Sequence, residues 1–210
     1  GLEVDPHRVA RLQRGESYVT DVASSEVEAL VRNGCFRVTG EMEVLAEAEL
    51  VFICVPTPMS KTREPDLSYV WQASETVARH LHRGMLIVLE STTYPGTTEE
   101  VLLPRLRATG LEVDRDFYLA YSPERIDPGN RRYRLRDIPK LVGGVSPRSG
   151  DLAALAYRQI ISTVHVVSSA RVAEMAKLLE NTFRAVNIAL ANEFALICRA
   201  LEVDVWEVIE

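Results

Sequence analysis

Glu124, in "YSPERIDPGN", follows directly on an apolar run, so a carboxylate sits at the end of a strand-like segment where it could give or take a proton. On spacing alone, a pairing with Arg125 explains it equally well. Ser91, Thr92 and Thr93 follow "MLIVLE" and stand just ahead of a helix start. Hydroxyls there could meet an anion or a bound water near the positive end of the helix dipole, although local capping is the stronger account of them taken alone. Pro56-Thr57-Pro58 follows "LVFICV". Two prolines fix that loop and remove two backbone donors, leaving the hydroxyl and amide of Thr57 to face a ligand. Taken alone, it is better read as a stiffened turn.

The fourth element is "LENTFRAVNIALANE", Leu179 to Glu193, apolar enough for a buried helix yet carrying Asn181, Asn187 and Asn192. Asparagine is a poor interior helix residue because its side chain competes for backbone hydrogen bonds. At about 100° per residue, Glu174, Lys177, Asn181, Arg184 and Asn192 fall within about 80° of arc. Leu179, Phe183, Val186, Leu190, Ile197 and Leu201 fall opposite, with Met175 beside them. The polar stripe could be a solvated face, but such faces favour Glu, Lys and Gln over Asn. Lys177 and Asn181, one turn apart, could both address one polar ligand.

These groups need a scaffold, and the pattern supplies one. Strand candidates are Cys35–Thr39, Glu49–Val55, Met85–Glu90, Phe117–Ser122, Lys140–Val145 and His165–Ser168. Several are apolar throughout rather than alternating, as in parallel sheets covered on both faces. Helical patterns lie between them at Pro6–Arg14, Ser24–Asn33, Leu67–His82, Thr98–Ala108 and Gly150–Ile161. Thr97 with Glu100 reads as a capping box for the helix at Thr98. The alternation predicts an α/β domain with a doubly wound, Rossmann-like, mostly parallel sheet. After Ser168, a potential cap at Ser169 opens a long helix over Ala170–Leu201, and another begins near Asp204. The expected division is therefore 1–168 and 169–210.

Composition narrows the class. The chain has 210 residues, 47% hydrophobic and 26% charged, with a net charge of -6. That describes a globular protein without a nucleic-acid footprint, and "RRYRLR" (Arg131–Arg136) reads as a solvated loop. No apolar run approaches the roughly 20 residues of a membrane span. Cys35, Cys54 and Cys198 show no metal-ligand spacing and suggest reduced thiols in a cytoplasmic protein. No metal is expected.

"GLEVDPHRV" reads as a short strand ending in an acid, followed by a helix opened by Asp5-Pro6. An acid at the end of the second strand of a dinucleotide-binding domain bonds the adenine ribose. The glycine-rich turn that holds the pyrophosphate belongs about 20 residues earlier, outside this chain. The dinucleotide fingerprint is thus half present.

Taken together, "ICVPTP", "PDLSYV", "LESTTYPGTTEEVLLP", "YSPERIDPGN", "KLVGG" and "EMAKLLENTFRAVNIALANE" resemble the nucleotide-sugar 6-dehydrogenases, the UDP-glucose/GDP-mannose dehydrogenase family. The resemblance runs through nearly the whole chain. "LESTTYPGTTEE" and "YSPERIDPGN" look most like the branch that oxidises UDP-N-acetylhexosamines, UDP-N-acetylglucosamine in particular. It implies NAD as cofactor, a UDP-sugar substrate, and oxidation at carbon 6 from alcohol to acid in two hydride transfers, through a cysteine-bound thioester. By motif, Glu3 resembles the ribose-binding acid and Arg8 the basic residue near the adenosine. Val55, Pro56 and Thr57, with Ser91 and Thr92, would line the cofactor, and Thr92 also the catalytic water. Glu124 resembles the general base of the thioester step. Lys177 and Asn181 resemble the pair that stabilises the oxyanion at carbon 6, while Asn187 lies off their arc and belongs to helix packing. A homodimer through the Ala170–Leu201 helix is implied too, with neither nucleic acid nor membrane as partner.

Departures from the family pattern accompany the likeness. Its nucleophilic cysteine belongs to a glycine-rich loop beyond the central helices, past the end of this chain, as does the C-terminal domain. Cys198 is expected to be a buried, inert thiol. Some members carry a second glutamate where this chain has Pro128, which leaves the role of Asp127 open. The alternative class is a non-catalytic dimerisation or cofactor-sensing module. A hydroxyacid dehydrogenase of related fold would leave "VPTP" and "ENTFRAVNIALANE" unexplained.

Overall fold

The computed structural model describes residues 1–59, 64–126 and 135–210. Asp127, Pro128 and most of the Arg131–Arg136 run lie outside them. One five-stranded sheet, ordered β1-β2-β3-β4-β5, is built from Leu50–Ile53, Leu86–Leu89, Tyr118–Tyr121, Lys140–Gly144 and Val164–Val167. β1, β2 and β3 are mutually parallel, as are β4 and β5, but β3 and β4 pair antiparallel. The all-apolar runs arise because both faces are covered: every residue of β2 is buried. Val51, Ile53, Ile87, Leu89, Leu119 and Tyr121 pack on one face, and Leu86, Val88, Ala120 and Val142 on the other.

The helices are α1 (Pro6–Gln13), α2 (Ser24–Arg32), α3 (Ser68–His80), α4 (Leu103–Arg107), α5 (Pro147–Tyr157), α6 (Ala170–Ala200) and α7 (Val205–Ile209). Asp5 caps α1 by accepting from His7 N, with Pro6 at the first helical position. Ser146 and Pro147 open α5 in the same way, three residues earlier than the sequence pattern suggested. Ser169 caps α6 through Val172 N at 3.2 Å.

Two expectations are corrected. Cys35–Thr39 is not a strand; Thr39 makes only a single parallel bridge to Leu2, and neither joins the five-stranded sheet. A strand persists only with a ladder neighbour along its length, and this run has one such contact. The helix expected over Thr98–Ala108 begins as a π-helical turn, Thr98–Leu102, before α4, because Pro104 has no N–H with which to continue the ladder.

The capping box at Thr97 is also replaced. Thr97 donates its hydroxyl to Tyr94 O at 2.7 Å, and Glu100 pairs with Arg171. The cap comes from α6 instead. Glu174, fully buried, accepts from Gly96 N at 2.5 Å, Thr98 N at 2.9 Å and Thr98 Oγ1 at 2.7 Å. Burial holds its carboxyl above the ordinary value, against the pull of those donors. Glu174 therefore anchors α6 to the segment after Thr92 rather than facing a ligand.

"KLVGG" is explained by close approach. A Cβ on Gly143 would lie 2.1 Å from Ser169 O, and one on Gly144 would lie 2.2 Å from Gly150 N. Only glycine lets the start of α6 and the first turns of α5 rest directly on the β4 backbone.

Candidate active site

The carboxyl ends of β1, β2 and β3 lie side by side, followed by loops carrying Cys54–Pro58, Glu90–Thr93 and Ser122–Ile126. In open α/β sheets, ligands bind at this edge. Because β4 runs antiparallel to β3, its first residue, Lys140, arrives at the same edge.

Glu124 is held by defined partners. Its Oε1 accepts the main-chain N–H of Arg125 at 2.5 Å and of Ile126 at 2.7 Å, and its Oε2 faces Lys140 Nζ at 3.4 Å. The Arg125 guanidinium points elsewhere, to Glu180 Oε1 (Nη2 at 3.0 Å) and to Pro139 O at 3.1 Å. Glu124 and Arg125 are therefore not a side-chain ion pair. Lys177 reaches across from α6, and its Nζ donates to the Glu124 main-chain oxygen at 2.6 Å. Desolvation lowers the Lys177 pKa, with Arg184 and Arg125 adding to that and Glu180 and Glu124 opposing it. Asn181 sits one turn further along α6, half-buried, and its amide has no hydrogen-bond partner among the described residues. Asn187 is exposed and donates to Phe183 O of its own helix.

The hydroxyl loops are tied together. Ser91 is buried and donates to Val55 O at 2.7 Å, locking the loop after β2 onto the loop after β1. Thr92 beside it is exposed, Thr57 is half-buried and Pro56 is exposed. Neither threonine hydroxyl is engaged among the described residues.

A buried charged cluster stands behind Glu124, and sequence reasoning missed it. Lys140 Nζ lies 2.9 Å from Glu90 Oε1. The Tyr157 hydroxyl donates to that same oxygen, and Cys54 Sγ lies 3.3 Å from Glu90 Oε2. Desolvation and the Glu90 carboxylate push the Cys54 thiol up to about 12. Cys54 keeps a solvent-open face, but a thiol donating to an anion holds its proton, so it is no thiolate nucleophile here. The available signal was a charge at each of two strand boundaries, Glu90 closing one apolar run and Lys140 opening another. Cys198 is a buried free thiol on α6, as expected, and Cys35 is exposed.

At the other end of the chain, Glu3 Oε1 accepts from Asp5 N at 3.0 Å, while Oε2 meets Tyr18 OH at 3.3 Å and Arg8 Nη1 at 3.5 Å. The Asp5 amide, aided by Arg8, holds its carboxyl below the ordinary value against partial burial. Arg8 lies 5.1 Å over the Tyr18 ring. An ionised acceptor beside a cation on an aromatic face is a donor and acceptor set that fits a ribose diol and an adenine.

Comparison with known proteins identifies the family. Residues 1–161 match the NAD binding domain of the UDP-glucose/GDP-mannose dehydrogenase family, and residues 171–210 match its central domain. The chain belongs to that family. A UDP-N-acetyl-D-glucosamine 6-dehydrogenase from Salmonella typhi is 41% identical over 97% of this chain and 48% of its own length. A UDP-N-acetyl-D-mannosamine dehydrogenase from Pyrococcus horikoshii is 38% identical over all of this chain and 50% of its own. The solved structure of UDP-D-ManNAc dehydrogenase from Pyrococcus horikoshii superposes with a TM-score of 0.92, at 38% identity, covering all of this chain and 50% of that one. The chain spans about half the length of the curated relatives it matches. The sheet and its helices are thus the family's Rossmann-like, NAD-binding fold. No described helix is long and apolar enough to cross a membrane.

Proposed function

We propose that the full-length protein oxidises a UDP-N-acetylhexosamine at carbon 6 from alcohol to carboxylate, with NAD as the hydride acceptor. The observation that carries this reading is Lys177. An ammonium from α6, its pKa lowered by burial, stands on the main chain of Glu124 at the ligand-binding edge of the sheet. The relatives named above, which act on N-acetylated UDP-sugars by name, support that substrate class.

Bound NAD would take up one hydride in each of two oxidations, while residues of this chain bind it, orient the sugar and move protons. Glu3 accepts from the ribose hydroxyls, with Arg8 beside the adenosine. Val55, Pro56, Thr57 and Ser91 form the wall of the cofactor loop, which the Ser91–Val55 bond keeps closed. Lys177 and Asn181 hold the oxygen on carbon 6 as negative charge develops, an interaction stronger in the transition state than in the ground state. Thr92 orients a water, and Glu124 removes its proton as that water attacks the cysteine-bound thioester, breaking the C–S bond and releasing the thiol and the acid. The chain divides near residue 168 into an NAD-binding domain, 1–168, and the start of a helical domain, 169–210. α6 leaves Leu179 68% and Phe183 69% exposed, and we assign this apolar face to a second copy of the chain. The free thiols accord with the cytoplasm.

Lys177→Ala in the full-length protein should lower kcat on the order of 10²–10³ while changing KM little. A kcat within a factor of about two of wild type would reduce the polar stripe to a wet helix face.

A further inference from the structure

We propose that Lys140 is a positioning residue for this reaction: its buried ammonium bridges Glu90 and Glu124 and holds the Glu124 carboxylate aimed. The inference rests on the reading of Glu124 as the base.

The geometry is specific. Lys140 is 6% exposed, although lysine is almost never fully buried unless paired. Its Nζ lies 2.9 Å from Glu90, 3.4 Å from Glu124 and 5.1 Å from the centre of the Tyr157 ring. Glu90 is itself fixed by the Tyr157 hydroxyl and lies against the Cys54 thiol, so the lysine cannot swing away from the site. With Lys140 on Oε2 and two amides on Oε1, both oxygens of Glu124 meet donors that favour the anion. Among the described residues, the charged groups around Glu124 are Lys140 from β4, Lys177 from α6, Arg125 beside it with its partner Glu180, and Glu90 after β2, on the far side of Lys140. Cys54 and Tyr157 are the neutral titratable groups. Among the described lysine and arginine side chains, Lys140 contacts the carboxylate itself, while Lys177 touches the main-chain oxygen. A base must be deprotonated to take a proton from water, so the role of Lys140 is read in the pH dependence of the reaction.

The test is the pH dependence of kcat/KM in the full-length protein. Lys140→Met removes a cation, which disfavours the carboxylate, so the acid limb should move up by about one pH unit, the low end for an opposite charge near a partly exposed acid. Glu90→Gln removes an anion from the far side of Lys140 and should move the limb the other way. Lys140→Arg should keep it where wild type has it. If Lys140→Met does not fold, since it strands Glu90, the double variant with Glu90→Gln buries no unpaired charge and should still shift the limb upward, by less. A uniform loss of rate with an unmoved limb in these variants would overturn the inference and leave a structural salt bridge. Glu124→Gln separates the two levels. If it retains turnover, the base reading fails and this inference with it; if it abolishes turnover while the Lys140 variants leave the limb in place, only this inference fails.

Discussion

Replacing Glu174 with alanine would test whether α6 is fastened to the sheet by one buried carboxylate. Three donors converge on it: the amides of Gly96 and Thr98 and the Thr98 hydroxyl. Each buried amide left without an acceptor costs about 1–3 kcal/mol, so the two together cost roughly 2–6 kcal/mol, while the hydroxyl can rotate to another partner. Removing a desolvated carboxylate returns part of that. Glu174→Ala should therefore destabilise by about 3 kcal/mol, and Glu174→Gln, which keeps one acceptor oxygen, by roughly 1–2 kcal/mol. The pH dependence has a definite sign. Burial raises the folded-state pKa above the ordinary 4.5, so the native state binds this proton more readily than the unfolded chain does. Stability from Glu174 is fully present below 4.5 and declines as pH rises through the elevated value. The gap between wild type and Glu174→Gln should accordingly narrow toward neutral pH. Urea unfolding at several pH values reads both quantities through the midpoint at constant m. A loss below about 1 kcal/mol for Glu174→Ala would refute the cap, whereas a gap that widens toward neutrality would show the three donors outweighing burial.

Gly143→Ala should cost about 3 kcal/mol or more, the top of the overpacking range, because the added methyl meets the Ser169 backbone at 2.1 Å rather than a movable side chain. Urea unfolding within about 0.5 kcal/mol of wild type would show that α6 can yield there. If the full-length protein pairs through α6 as proposed, Phe183→Glu with Leu190→Glu should leave it monomeric in light scattering, because both lie on the uncovered stripe of α6. An unchanged mass with a lowered melting temperature would mean that the stripe is covered within one chain.

Periodicity made much of the scaffold legible. The apolar runs at 50–53, 86–89 and 118–121 form strands because both faces of the sheet are covered, and α6 extends 31 residues without an internal Gly or Pro. What the pattern hid were pairings between distant positions. Strands buried on both faces do not announce direction, so the antiparallel junction of β3 and β4 left no mark, and with it the arrival of Lys140 beside Glu124. The angular stripe grouped Glu174 with Lys177, but one turn of α6 separates a carboxylate buried against Thr98 from an ammonium at Glu124. Thr97 and Glu100 had the spacing of a cap, yet a buried acid from far along the chain took the amides first. Spacing left a pairing of Glu124 with Arg125 as open as acid/base work, whereas the reach of Arg125 carries it to Glu180.

The most direct measurement is the stoichiometry of the full-length protein with NAD and a UDP-N-acetylhexosamine, counting NADH formed against sugar consumed and identifying the product. Two NADH per sugar and a 6-carboxylate are expected. One NADH per sugar with an aldehyde product, or no NADH with any UDP-sugar, would contradict the assignment.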